Sequence, residues 1–274
     1  MKSVKKQIAS LACVLAAIAA FASYAAEIKH YELKVGDFSH LSVEDGINVE
    51  YYCSPDSAGM ALFDAPKAIA DHIIFDSSKE GKLLIQKAFH GKDELSHNLP
   101  TVKVYSRFLS RVQNSGDSTV RVMTVAPTDE FKATVIGNGR LVIKGLECTK
   151  FDGAIKTGNG NLVVNGRCDR ATLSNTGVGN IQADNLTARN ASCRFFGTGT
   201  TGVNATEQLV IKGMFPGKLY YRGKPAKMKN YSMGVKIYSI DHPEEAEDAD
   251  NLKESADHED ADNHTDADNH TDAD

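Results

Sequence analysis

The sequence predicts an all-β fold: a parallel β-helix, or β-solenoid, that follows a less regular N-terminal β portion. The first indication is a Gly-x-Gly motif that recurs with its second glycine 21, 19 and 20 residues apart, at Gly137-Asn-Gly139, Gly158-Asn-Gly160, Gly177-Val-Gly179 and Gly197-Thr-Gly199. The second is an alternating pair of apolar residues after most copies. The third is that no helical spacing accompanies them. A repeat near 20 residues with period-two apolar alternation is typical of stacked β coils.

The apolar pairs follow the glycines at the same offset, and degenerate copies extend the repeat at both ends. The pairs are Leu141 and Ile143, Leu162 and Val164, Ile181 and Ala183, and, more weakly, Thr201 and Val203. One degenerate copy precedes the set at Gly116-Asp-Ser118, and two follow at Gly217 and Gly234. We predict about seven turns over residues 115–240, each unable to bury its apolar row without its neighbours.

The glycines are predicted to be structural, because a corner between two strands needs positive φ or a close backbone approach. A dinucleotide fingerprint would require a third glycine and a following helix, and neither accompanies any copy. The calcium-binding nonapeptide would require Gly-Gly-x-Gly-x-Asp, which is also missing. The repeat therefore predicts no phosphate or calcium site.

Residues 26–114 form the N-terminal β portion, with short apolar runs instead of a clear period. Strands are predicted at Tyr31 to Val35, Leu41 to Val43, Ile47 to Tyr52, Met60 to Phe63, His72 to Phe75, Leu83 to Gln86 and Val102 to Tyr105. Ala65 to Asp71 is the one candidate for a short helix, and Ala88 to Pro100 reads as an exposed loop.

Residues 1–25 have the three parts of a secretory signal peptide, with cleavage after Ala25. Lys2, Lys5 and Lys6 precede an apolar run, and small residues precede the cleavage point. The alternatives are an uncleaved anchor, for which the run is slightly short, and lipidation at Cys13, which the serine three positions earlier disfavours. The mature chain is expected to be exported to the periplasm, the outer membrane or the cell surface of a bacterium, with no transmembrane span.

Residues 241–274 differ in composition from the rest of the chain. They contain 15 acidic residues and one basic residue, Lys253, and their last part repeats every six residues. Such a segment cannot bury enough apolar surface to offset its ordering entropy, so we predict a disordered tail. His258, His264 and His270 alternate with carboxylates and are weak candidates for metal binding, although a simple solvated tail is the favoured interpretation.

The formal net charge of -5 conceals two parts of opposite sign. Residues 27–240 contain 27 Lys and Arg against 21 Asp and Glu, whereas the tail is strongly acidic. One hypothesis is that the tail screens a basic face that meets anionic glycans or membrane surfaces. A nucleic-acid partner is not predicted.

Several motifs together resemble the head GIN domain family of autotransporter-type adhesins over residues 30–238. They are Asp45-Gly46-Ile47-Asn48-Val49, the Gly-x-Gly coils, and Tyr221-Arg222-Gly223-Lys224-Pro225 followed by Ser232-Met233-Gly234. The resemblance implies a right-handed parallel β-helix with a more sandwich-like N-terminal part, an exported domain involved in adhesion, and no catalytic motif. The chain departs from the family pattern at Phe215-Pro216-Gly217 and Ser232-Met233-Gly234, where the first glycine of each pair is replaced.

Signal removal leaves four cysteines, at Cys53, Cys148, Cys168 and Cys193. Cys148 and Cys168 are one coil apart, and neighbouring strands lie close enough for a disulfide. The alternative is a pair of small residues stacked in or beside the core, and the sequence leaves both possibilities open. Cys193 aligns with Leu173 of the preceding coil and is expected in the core.

Two functions from different classes fit these features. The first is a non-enzymatic binding or structural module that presents a β-helix surface to a glycan, envelope or protein partner. The alternative is a polysaccharide lyase or hydrolase, which would need carboxylates stacked on neighbouring coils. Asp152, Asp169 and Asp184 fall at different offsets from their glycines, and the chain has no Trp. The first function is therefore favoured, and no catalytic residue or cofactor is predicted.

Overall fold

The computed structural model describes residues 27–88 and 99–242, and nearly all of them belong to β structure. The N-terminal elements are β1 (Ile28–Lys34), β2 (His40–Val43), β3 (Val49–Cys53), β4 (Met60–Pro66), α1 (Lys67–Ala70), β5 (Ile73–Ser77), β6 (Lys82–Lys87), β7 (Val102–Ser106), β8 (Arg111–Asn114) and β9 (Thr119–Val122). The later ones are β10 (Thr128–Ile136), β11 (Arg140–Thr157), β12 (Asn161–Asn175), β13 (Asn180–Phe195), β14 (Thr200–Gly213), β15 (Lys218–Arg222), β16 (Lys227–Ser232) and β17 (Lys236–Ser239).

The long strands stack in parallel and turn corners within themselves, which makes the fold a β-solenoid of about six turns. The register breaks between Ile143 and Leu146 in β11 and at equivalent points in β12 and β13, so that each long strand supplies segments to more than one face. Face 1 contains β9, the first residues of β11 to β14, β15 and β17. Face 2 contains β8, β10, the last residues of β11 to β14, and β16. The predicted fold class is confirmed.

The N-terminal portion begins the same parallel stack and then covers its end. β2 pairs in parallel with β8, and β3 pairs in parallel with β9, so both ladders run back across residue 114. Antiparallel pairs, β1 with β4, β4 with β7 and β5 with β6, lie outside them. The short helix α1 falls inside the range predicted for it. The domain division at residue 114 stays a prediction, and the sheet is continuous across it.

The core runs along the solenoid because inward positions stack on one another. Phe131 pairs with Phe151, which pairs with Ala171, and all three are almost completely buried. Cys193 lies in register with Leu173 and is fully buried, as expected. Its burial raises the pKa of the thiol to about 12. Burying each large apolar side chain contributes roughly 1.5–3 kcal/mol, so the stack is stabilised coil by coil.

The Gly-x-Gly corners are explained by close backbone approach between coils. A Cβ on Gly179 would lie 2.2 Å from the carbonyl oxygen of Gly160, and one on Gly177 would lie 2.4 Å from that of Gly158. Among the four complete copies, positive φ occurs only at Gly137 and Gly158. Crowding against the neighbouring coil, more than backbone conformation, therefore requires glycine at these corners.

The predicted signal peptide, most of the predicted tail and the residues 89–98 lie outside the described residues, and so do the candidate metal ligands His258, His264 and His270. Within the described residues, the structure contains no helix long and apolar enough to cross a membrane.

Candidate binding surfaces

The Gly46-Ile47-Asn48 motif forms the first corner of the solenoid. Asp45 and Gly46 both have positive φ, at 56° and 80°, and Ile47 is fully buried. Asn48 turns its side-chain oxygen toward the next coil, where it accepts a hydrogen bond from the backbone amide of Thr119 at 2.9 Å. These contacts give the motif a structural role in joining the N-terminal portion to the first coil.

The cysteine pair lies in a groove of about 950 Å³ along the corner between the two faces. Cys148 and Cys168 are directly opposite each other on β11 and β12, and both are thiols. The hydrogen bond from the Cys168 thiol lowers the pKa of Cys148, and the same contact together with burial raises the pKa of Cys168. The structure thus brings the two predicted partners together, and the disulfide itself stays a prediction.

The charged side chains beside this groove are paired across coils. Glu147 meets Arg167 at 2.9 Å, Arg189 meets Glu207 at 2.7 Å, and Lys150 meets Glu130. These pairs join residues 18 or 20 positions apart, which is one coil. We call the groove that contains Cys148 and Cys168 the thiol groove. The lining of the groove nevertheless contains more acids than bases, with Asp129, Glu130, Glu147 and Asp169 against Arg167 and Arg189, so it does not favour an anionic ligand.

The three aspartates considered for an enzyme do not converge. Asp152 faces Lys132 at 3.7 Å on face 2, Asp169 lines the thiol groove, and Asp184 lies 3.9 Å from Arg222. The hydrogen bond and charge of Lys150 lower the pKa of Glu130, the opposite of what a general acid needs near neutral pH. In residues 27–88 and 99–242, no group of three or more His, Cys, Asp or Glu side chains could hold a metal ion.

Face 2 carries a second groove, of about 630 Å³, in which positive charge is in excess. Lys132 and Lys150 in its wall are paired with acids, but no ion pair joins Arg111, Arg170 or Arg194 to any other described residue. We call it the arginine groove. Arg111 lies on β8 and Arg170 on β12, three strands away, which corresponds to about 14 Å along the solenoid.

His40 reports the electrostatic potential at the N-terminal end of the arginine groove. It lies directly opposite Arg111 on one side and Lys82 on the other. Burial, followed by the charges of Arg111 and Lys82, lowers the pKa of its imidazole. The sequence offered no spacing that would single out these arginines, because they come from β8, β12 and β13, and only the stacking register brings them to one surface.

The fold and its grooves define the chain as a β-solenoid whose outer faces carry grooves lined by charged side chains. The family model described as "Putative auto-transporter adhesin, head GIN domain" matches residues 37–225. The chain therefore belongs to the head GIN domain family, as the resemblance in its motifs predicted.

Solved structures with the same fold come from Bacteroides fragilis and Parabacteroides distasonis. A protein described as a putative adhesin from Bacteroides fragilis aligns with a TM-score of 0.70 and 23% identity, covering 78% of this chain and 97% of its own. A putative adhesin from Parabacteroides distasonis aligns with a TM-score of 0.63 and 20% identity, covering 79% and 98%. A protein described as a putative lipid binding protein, also from P. distasonis, aligns with a TM-score of 0.62 and 20% identity over the same shares. No curated protein matches the chain.

Proposed function

We propose that the chain is an exported, non-enzymatic binding module of the adhesin type, and that its arginine groove takes an anionic glycan. The observation that carries the proposal is the excess of arginine in that groove, at Arg111, Arg170 and Arg194, which form no ion pair with other described residues. Guanidinium groups bind carboxylates and sulfates through two parallel hydrogen bonds, which gives direction as well as charge.

The arrangement suits a polymer better than a small ligand. The groove follows neighbouring strands of face 2, and its arginines are spread along the solenoid while Thr172 lies between them. A polyuronate or a sulfated glycan repeats its acidic groups along a chain and can meet successive arginines. Membership of a family described as adhesins supports a binding role, and the signal-peptide pattern supports export.

Binding of polygalacturonate oligosaccharides to the mature protein, measured by calorimetry at low salt, tests the site. Replacing Arg111 and Arg170 by Gln should weaken binding at least tenfold, because each lost charge-assisted hydrogen bond costs about 1.5–3 kcal/mol. Arg140→Gln with Lys144→Gln is the matched control, since both residues are exposed and have no ion pair among the described residues. Equal losses in both double variants would contradict the proposal, and so would an absence of binding.

Two further measurements sharpen this test. Bound carboxylates near Arg111 should offset the positive potential at His40, so the pKa of His40 should rise on binding in an NMR titration. Polygalacturonate and neutral polysaccharides incubated with the protein should yield no cleavage products. Turnover that disappears in Asp152→Asn or Asp169→Asn would favour the lyase or hydrolase instead.

A further inference from the structure

The last coils of the solenoid carry a ladder of exposed apolar side chains at one corner. Phe195, Gly213 and Ser232 are in register on successive strands, so the residues that follow them occupy equivalent positions one coil apart. These residues are Phe196, Met214 and Met233, whose exposed fractions are 53%, 74% and 71%. Phe215, beside Met214, is 45% exposed. We call the four residues Phe196, Met214, Phe215 and Met233 the C-terminal ridge.

Cations flank the C-terminal ridge on both sides. Arg194 and Lys212 are in register two residues before Phe196 and Met214, and therefore point to the same side of the sheet. Lys218 and Lys236 are in register beyond the corner, at the starts of β15 and β17. No ion pair joins these four side chains to other described residues.

The surrounding sequence is free of acidic residues. Residues 208–240 contain seven Lys and Arg and no Asp or Glu. Tyrosines lie around the same patch: Tyr231 is 63% exposed in the ladder of Arg194 and Lys212, and Tyr220 stacks on Tyr238 at 5.1 Å on the other flank. Tyrosine favours a boundary between apolar and aqueous surroundings, because its ring is apolar and its hydroxyl is polar.

The exposed apolar side chains and the cations that flank them suit some kinds of partner better than others. A soluble polyanion would meet the lysines but would leave Met214, Met233 and Phe196 in water. An uncharged apolar partner would cover the ridge but would leave the cations without counter-charges. An anionic lipid surface accommodates both, since apolar side chains insert among the headgroups while cations meet phosphates.

We propose that the C-terminal ridge docks on an anionic lipid surface, with Phe196, Met214, Phe215 and Met233 entering the headgroup layer and Lys212, Lys218 and Lys236 contacting lipid phosphates. The ridge and the arginine groove share Arg194 at their border, but Arg111 and Arg170 lie on the earlier strands β8 and β12, and Lys218 and Lys236 lie beyond the corner that ends face 2. The competing occupant is the chain's own acidic segment after His242, which supplies negative charge but very few apolar side chains.

Flotation of the mature full chain with phosphatidylcholine vesicles, with and without about one third phosphatidylglycerol, tests the proposal at low salt. The chain should float only with the anionic vesicles. Replacing Lys218 and Lys236 by Gln should lower its partition coefficient about 25-fold, about fivefold per cation. Replacing Met214 and Met233 by Ser should lower it on the order of tenfold, because their apolar atoms no longer leave water.

Matched controls separate the ridge from general charge and general hydrophobicity. Arg140→Gln with Lys144→Gln removes two exposed cations away from the ridge, and Ile74→Ser removes an apolar side chain that is 38% exposed on β5. Both should bind within twofold of the unchanged chain, and unchanged melting temperatures would show that all variants are folded.

Three outcomes would overturn the proposal. The first is a full chain that fails to bind anionic vesicles at low salt, as expected if its acidic segment occupies the ridge. The second is binding that the ridge substitutions leave unchanged. The third is equal loss in the controls. Because the glycan test uses Arg111 and Arg170, either proposal can fail while the other stands.

Discussion

The two ends of the solenoid are built differently. At the N-terminal end, β1 and β4 form an antiparallel pair over the stack, and Phe63 lies between Tyr31 and Phe75 with ring centroids 5.1 and 6.0 Å away. At the C-terminal end, five of the six residues of β16 are exposed. Met228 is in register with the fully buried Leu209, but 41% of its own surface is exposed.

The net charge of the sequence also differs between the N-terminal end and the rest of the solenoid. Residues 27–100 contain 7 Lys and Arg against 13 Asp and Glu, whereas residues 101–240 contain 20 against 8. Lysine along an exposed edge strand also discourages pairing with another chain. The comparison indicates that the covered acidic end contributes stability, while the open basic end and face 2 remain available to partners.

The largest expected effect concerns the crowded glycine corners of the solenoid between the two ends. Gly179→Ala should destabilise the fold by about 3 kcal/mol or more, because the new Cβ would overlap the backbone of Gly160. Gly145→Ala is the control: no atom lies within 4 Å of its Cβ position, and only its positive φ opposes alanine. That change should cost about 1–2 kcal/mol. Urea unfolding measures both, and similar losses would contradict the crowding explanation.

The second prediction compares the two ends directly. Phe63→Ala should cost about 3 kcal/mol, since it empties a buried aromatic position in the N-terminal cover. Met228→Ala at the open end should cost less than about 1 kcal/mol, because much of the side chain is already in water. Urea titrations measure the free energy of unfolding of both variants. Equal losses for the two would contradict this division of roles.

The third prediction concerns the solenoid between the ends. Oxidation should join Cys148 to Cys168, and closing that loop should stabilise the chain by about 3 kcal/mol. Peptide mapping without reduction identifies the bond, and urea unfolding with and without reductant measures its effect. Cys148→Ser should abolish the reductant dependence, whereas Cys53→Ser should preserve it. Free thiols at both positions after oxidation would rule the bond out.

A smaller effect tests the junction between the covered end and the first coil. Asn48→Ala should cost about 1–2 kcal/mol, because the Thr119 amide loses its acceptor. Asn48→Asp keeps an acceptor oxygen and should recover most of the loss. Thermal melts of the three proteins would contradict the structural role of the motif if alanine and aspartate behaved alike.

The smallest effect is a pH dependence at the N-terminal cover. The hydrogen bond between His30 and Asp64, 2.7 Å long, raises the pKa of the exposed His30 imidazole above 6.5. The pair therefore adds stability below pH 6.5, and that contribution is lost as the pH rises through the raised pKa. NMR titration should show His30 returning toward 6.5 in Asp64→Asn, and an unchanged midpoint would contradict the assignment.

The sequence predicted the parts of the fold that repeat. The glycine spacing located the corners, although it predicted about seven turns where the structure has about six. The same period could also have revealed the charge pairs, because Glu130 and Lys150, or Glu147 and Arg167, are 20 residues apart. The pairing of β2 with β8 was not predictable, since residues about 70 positions apart meet there without any repeated pattern.

The candidate surfaces were less accessible to prediction. Arg111, Arg170 and Arg194 share no offset from the glycines, and their convergence depends on register and on the corner bends. Met214 and Met233 occupy the coils where the family pattern departs from Gly-x-Gly, and that departure was the signal available in the sequence. Their role depends on whether their side chains are exposed, and the spacing of residues in a sequence does not show exposure.

The contact at the end of the last coil determines how the molecule would respond to a pulling force. Gly223 donates its backbone amide to Asp241 at 2.8 Å, and Asp241 lies two residues after the end of β17 at the open end. A pulling force applied at Asp241 would act on the outermost strand alone, separating β17 and then β16 before any inner coil. Such peeling breaks a few hydrogen bonds at a time, so the molecule would yield gradually under load and could rewind when the tension is released.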